Sequence, residues 1–182
     1  IGFVLFRQEL FDDALQYFIK SLRVCKRSLG EIHGDVAKIM CNIATVCFYG
    51  GYDDEAMKFY RESLKVEQAA FGHDHENVAR TLHHVSQIHQ QQGELNKVIE
   101  CLEEALEIER RIFGDDSEKV AQTLNQLGNA HMQRGEVTKM MDVFSEAMRI
   151  YRRLDYDGEK LAIAGFDFYI LSKMHPECAA VA

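Results

Sequence analysis

Apolar and small side chains recur along this chain at the spacing of one helix face. Leu82, Val85, Ser86 and His89 stand at i, i+3, i+4 and i+7. After Gly93, the residues Val98, Leu102, Ala105 and Leu106 stand at i, i+4, i+7 and i+8. Each stripe predicts an amphipathic helix, and the glycine between them predicts the turn. The same two-helix unit returns on both sides. The stretch 71–93, FGHDHENVARTLHHVSQIHQQQG, has counterparts over 29–51 and 113–135. Gly30, Gly72 and Gly114 are 42 residues apart, as are Gly51, Gly93 and Gly135, Val36, Val78 and Val120, and Ala37, Ala79 and Ala121. A fixed step of this size is the signature of a stacked array of supersecondary units.

The pattern predicts helices over roughly 1–8, 11–29, 35–50, 54–71, 77–92, 95–113, 118–134, 137–154 and 159–173. The expected architecture is all-α, an α-solenoid of stacked antiparallel helix pairs. It reads as a single array over 1–182, with a partial repeat 1–30, repeats 31–72, 73–114 and 115–154, and a closing helix within 155–182. One first-helix position holds Gly2, Ala44, Ser86 and Gly128, and the facing second-helix position holds Phe18, Tyr60, Leu102 and Phe144. Small facing large at a constant offset lets antiparallel helices interdigitate. After Leu154 the register slips: Glu118-Lys119-Val120-Ala121 maps onto Glu159-Lys160-Leu161-Ala162, a step of 41. Phe166, Phe168 and Tyr169 are expected to cover the last hydrophobic face. Ile1 falls inside a helix by the repeat register, so the chain reads as a piece of a longer protein.

Charge narrows the partners. Net charge is −8 with 27% charged residues, which excludes a basic nucleic-acid footprint. No apolar run approaches the ~18 residues of a membrane span, so no direct membrane insertion is expected. The N-terminal IGFVLF lacks the basic and small-residue flanks of a signal peptide. Five cysteines without a CxxC pair suggest reduced thiols in the cytoplasm or another reducing compartment.

The recurring small-x(6)-Gly-x-[Tyr/Leu]-x-x-Ala pattern, with another small residue seven on, resembles the tetratricopeptide repeat (TPR). Asp74-His75, Val78-Ala79-x-Thr81-Leu82 and the 42-residue step narrow the likeness to the kinesin-light-chain type. It covers residues 1 to about 172. The chain departs from that pattern where Gly34, Glu76 and Glu118 replace proline, Ser117 replaces histidine, and Val98 and Met140 stand where alanine is usual. The resemblance implies a right-handed superhelix whose first helices line a concave peptide-binding groove. By position, the groove rows are Lys38, Arg80 and Gln122; Cys41, His83 and Asn125; Asn42, His84 and Gln126; Thr45, Gln87 and Asn129. Amide side chains that both donate and accept suit the backbone of an extended peptide. A chaperone-tail clamp would need a lysine row, which is missing. Lys38 and Arg80 weakly favour an acidic ligand of the kind the kinesin light chains accept.

Other chemistry finds little support. His33 and His75 fall at loop-to-helix junctions and read as structural, and His89 and His131 read as packed, hydrogen-bonded residues between paired helices. His83 and His84 point about 100° apart on a helix and do not chelate one ion, so neither metal nor other cofactor is expected. Because both rows face the implied groove, ligand affinity is expected to change between about pH 5.5 and 7.5. No phosphate loop, nucleophile elbow or HExxH is present, so no catalytic residue is assigned and the chain is not expected to be an enzyme. The acidic run Glu100, Glu103, Glu104, Glu107 and Glu109 reads as a solvated face, with Glu107 to Arg111 an i,i+4 ion pair.

The leading expectation is a scaffold or adaptor that binds a protein or peptide in the groove. Its alternatives are a structural subunit packed permanently in a large assembly, a regulatory domain attached to catalytic sequence, and a kinesin-light-chain-like cargo adaptor, although no heptad segment for a motor chain is present.

Overall fold

The computed structural model describes residues 1–155. It contains eight α-helices and, among the described residues, no strand: α1 (Gly2–Arg7), α2 (Phe11–Leu29), α3 (Gly34–Tyr49), α4 (Asp53–Phe71), α5 (Glu76–Gln91), α6 (Leu95–Phe113), α7 (Glu118–Gln133) and α8 (Val137–Arg153). The all-α class is the one expected, and each of these helices begins and ends within one residue of its sequence-derived bounds. The expected helix over 159–173, with Phe166, Phe168 and Tyr169, lies outside the described residues.

The chain divides into two compact units, Ile1–Gln92 and Gly93–Ala182. In the first, α1 packs on α2, α2 on α3, α3 on α4 and α4 on α5. In the second, α6 packs on α7 and α7 on α8. Within each unit a helix therefore buries its apolar stripe against a sequence neighbour, as a repeat too thin to hold a core of its own must.

The small-to-large register sets how closely the paired helices approach. A Cβ added at Gly2 would stand 2.7 Å from Phe18 Cζ, and one at Gly128 would stand 2.5 Å from Phe144 Cε1. Both aromatic rings are buried against the glycine backbones. Phe144 packs with Met140, and the rest of the second unit is filled by Val98, Ile99, Leu102, Leu127 and Ala130, and by Val120, Ala121, Leu124, Ala147 and Ile150. Full burial of a side chain such as Leu124 contributes roughly 1.5–3 kcal/mol.

The turns show why two glycines recur per repeat. Gly135 (φ 73°) follows α7: its N–H reaches Met132 O at 3.0 Å and Glu136 N–H reaches His131 O at 2.9 Å, which closes the last carbonyls of the helix. Gly72 caps α4 at φ 87°, ψ 172°. That is not the left-handed helical well but an extended positive-φ region open essentially to glycine alone. At the first helices the caps are side chains. His33 Nδ1 accepts from Asp35 N–H (3.1 Å), His75 Nδ1 from Asn77 N–H (3.2 Å), and Ser117 Oγ from Val120 N–H (3.3 Å). The structural role read for His33 and His75 is thus a helix N-cap. His89 and His131 are buried as expected, and His131 Nδ1 lies 2.7 Å from Glu136 Oε2.

Candidate functional site

In the first unit, α3 carries Lys38, Cys41, Asn42 and Thr45, and α5 carries Arg80, His83, His84 and Gln87. Lys38, Arg80 and Gln87 are exposed, while Asn42, Thr45, His83 and His84 are half-buried. Tyr60 of α4 joins the two rows. Thr45 Oγ1 donates to Cys41 O at 2.9 Å, so the Tyr60 hydroxyl, also 2.9 Å away, donates to Thr45. The His84 ring stacks on Tyr60 with centroids 5.2 Å apart and planes 14° from parallel. Burial pushes the Tyr60 hydroxyl up to about 12, against the opposing bond to Thr45. Burial likewise holds His84 below the ordinary imidazole range; Arg80 and His83 add to this, and a hydrogen bond with Gln87 opposes it.

Cys41 sits deeper than its row neighbours, at 8% exposed. Its sulfur lies 3.0 Å from Ser63 Oγ and 3.3 Å from Thr81 Oγ1. Burial, then the nearby Glu67 carboxylate, raises its pKa, so the thiol stays protonated. It is a structural group in a polar knot rather than a nucleophile.

That knot contains what the sequence reading missed. Glu67 is 0% exposed, and Thr81 Oγ1 donates to its Oε2 at 2.8 Å. One repeat later Glu109 is 5% exposed, and Thr123 Oγ1 donates to its Oε2 at 2.6 Å. The expectation that Glu109 belongs to a solvated acidic face is therefore overturned. Glu100, Glu103, Glu104 and Glu107 are exposed, with Arg111 Nη2 3.4 Å from Glu107, but Glu109 is turned into the interface between α6 and α7. A signal was available. Glu67 and Glu109 stand four residues after the small inward residues Ser63 and Ala105, and Thr81 and Thr123 keep the same 42-residue step. Burial pushes the Glu67 carboxyl up, opposed by the bond from Thr81 and by Arg80.

In the second unit, Gln122 and Gln126 are exposed on α7, and Gln122 Nε2 donates to Glu118 Oε1 at 3.0 Å. Asn125 is half-buried and bonds the Tyr151 hydroxyl. Asn129 Oδ1 is buried without a hydrogen-bond partner among the described residues. The repeat register supplies the reason. Asn129 occupies the position of Thr45, whose partner is the Tyr60 hydroxyl, but the counterpart of Tyr60 here is Phe144, which has none.

A cavity of about 640 Å³ opens in the first unit between the start of α3, the end of α4 and the start of α5. Lys38, Arg80, Asn77, Asp35, His33 and Phe71 line it. Arg80 Nη2 donates to Asn77 Oδ1 at 2.9 Å, and Lys38 has no ion-pair partner among the described residues.

A family profile described as the tetratricopeptide repeat matches residues 1–66, 53–111 and 88–153. The chain belongs to the tetratricopeptide repeat family. Its fold is that of the kinesin-light-chain-like, 42-residue type, as solved structures show. BtubC (BKLC) from P. vanneervenii is 19% identical with a TM-score of 0.78, over 99% of this chain and 76% of that one. A Podosopora anserina kinesin-light-chain-type protein of nearly identical TPR-like repeats is 14% identical with a TM-score of 0.77, over 99% and 87%. The Rap conjugation gene regulator of plasmid pLS20, solved in complex with the Phr* peptide, is 17% identical with a TM-score of 0.68, over 93% and 45%. No curated protein sequence matches the chain.

Proposed function

We propose that this chain is a protein-interaction scaffold that holds an extended partner segment along its first helices. The observation that carries the reading is polar capacity on those helices that the fold does not consume. Lys38 is exposed and Asn42 half-buried, and neither has a hydrogen-bond or ion-pair partner among the described residues. The complex of the Rap regulator with a peptide supports the same reading. A reducing intracellular compartment suits Cys25, Cys41, Cys47 and Cys101, which are all free thiols.

A peptide display library panned against the chain supplies the test. Selected peptides, measured by fluorescence anisotropy, should lose affinity when Asn125, Gln126 and Asn129 are replaced by Ala. Unchanged affinity in that variant would reject these residues as the contact surface.

A second reading, permanent packing in a larger assembly, has its own observation. Phe3, Val4, Tyr17 and Val24 leave exposed apolar surface on α1 and α2. Under this reading the triple Ala variant assembles normally.

A further inference from the structure

We propose that the cavity between α3, α4 and α5 is an anion subsite that takes the phosphoryl group of a phosphorylated side chain on the partner. The inference rests on the scaffold reading above and names the chemistry of one partner group. In a chain of net charge −8, two cations, Lys38 and Arg80, face one cavity of about 640 Å³. That volume falls among ordinary ligand sites, which run about 300–1,000 Å³. The one carboxylate in its lining, Asp35, already has a neighbour in His33, 3.7 Å away.

The donors divide in a way that favours phosphate over carboxylate. Arg80 uses Nη2 on Asn77 Oδ1, which orients its planar fork and leaves other N–H groups to donate. Lys38 stands one repeat earlier, on a different helix, as a compact charge without a counter-ion among the described residues. A single carboxylate carries one charge on two oxygens, which a guanidinium fork alone can neutralise. A phosphoryl group carries close to two charges and three acceptor oxygens, enough to engage fork and ammonium together. Glu67 lies near enough to Arg80 to offset part of its charge, so Lys38 is required as the second cation.

The test uses small probes on the full chain: N-acetyl-phosphoserine amide, N-acetyl-glutamate amide and inorganic phosphate, titrated while side-chain nitrogen resonances are followed by NMR. Phosphoserine amide should saturate, move the Lys38 and Arg80 signals, and bind about tenfold more tightly than either other probe. Lys38→Ala and Arg80→Ala should each weaken it about tenfold, with helicity unchanged because both side chains are exposed, and Lys38→Arg should restore it. Glutamate amide binding as tightly would make this a carboxylate subsite, and inorganic phosphate binding as tightly would make it a free-anion site. Either result, or a failure to saturate, overturns the proposal. If the probes fail while panned peptides still depend on Asn125, Gln126 and Asn129, this inference alone falls. If that dependence also vanishes, the scaffold reading falls with it.

Discussion

Thr81 donates its hydroxyl proton to the fully buried carboxylate of Glu67 across 2.8 Å and so ties α5 to α4. The bond is what makes burial of that acid tolerable. Thr81→Val keeps the shape and removes the donor, and should destabilise the chain by about 1–3 kcal/mol in denaturant unfolding. Glu67→Gln should cost less, because an amide buried beside a hydroxyl carries no charge. A smaller loss for Thr81→Val than for Glu67→Gln would contradict this account.

The same pair sets a pH dependence. The folded pKa of Glu67 lies above its unfolded value near 4.3, so the folded state holds the proton more tightly. Its contribution is fully present below the unfolded pKa and falls as pH rises through the folded one. Between those two values wild type should lose stability relative to Glu67→Gln. A flat difference in unfolding free energy from pH 4 to 7 would exclude the effect.

Gly128 is held to glycine by the Phe144 ring. Gly128→Ala places a methyl 2.5 Å from Phe144 Cε1, in a core that cannot yield freely, and should cost about 1–3 kcal/mol. Phe144→Leu, the residue at this register position in Leu102, should recover part of the loss. A double-mutant cycle that shows no coupling would rule out the clash.

His75 caps α5 through Nδ1 while its ring stacks on Phe71, with centroids 4.3 Å apart. His75→Ala should lower stability by about 1 kcal/mol, and His75→Ser, the cap type used at Ser117, should cost less. Equal losses would mean that the stack, not the cap, is what matters.

His84 is buried against Tyr60, and its pKa is held low. The unfolded chain therefore binds this proton more readily, and the residue's contribution to stability is lost as pH falls from the unfolded value near 6.5 toward the folded one. An NMR titration should give His84 a midpoint below 6.5. A midpoint at or above it would show the imidazole to be solvated. This shift also moves any His84-dependent change in partner affinity to the acid end of the range expected from sequence.

Much of the fold was legible because helix stacking obeys one-dimensional rules. Gly2 against Phe18 and Gly128 against Phe144 were readable as size alternation at a fixed step, and the structure shows the contacts. Glu109 was misplaced because a glutamate four residues past an inward alanine also belongs, by spacing, to the acidic stripe beside it. Only the side-chain direction and the Thr123 hydroxyl separate the two. That Asn129 Oδ1 has no partner among the described residues was hidden for a related reason. It depends on a hydroxyl missing from Phe144, a residue 15 positions away on another helix.

By itself the sequence determined the repeat length, the helix bounds and the small-facing-large contacts, since periodicity and side-chain volume are properties of the chain alone. Tertiary structure decided which polar groups are paired inside and which stay exposed. Whether Glu67 is an interior acid, Cys41 a buried thiol or Lys38 a cation lining a cavity depends on neighbours that only packing brings together.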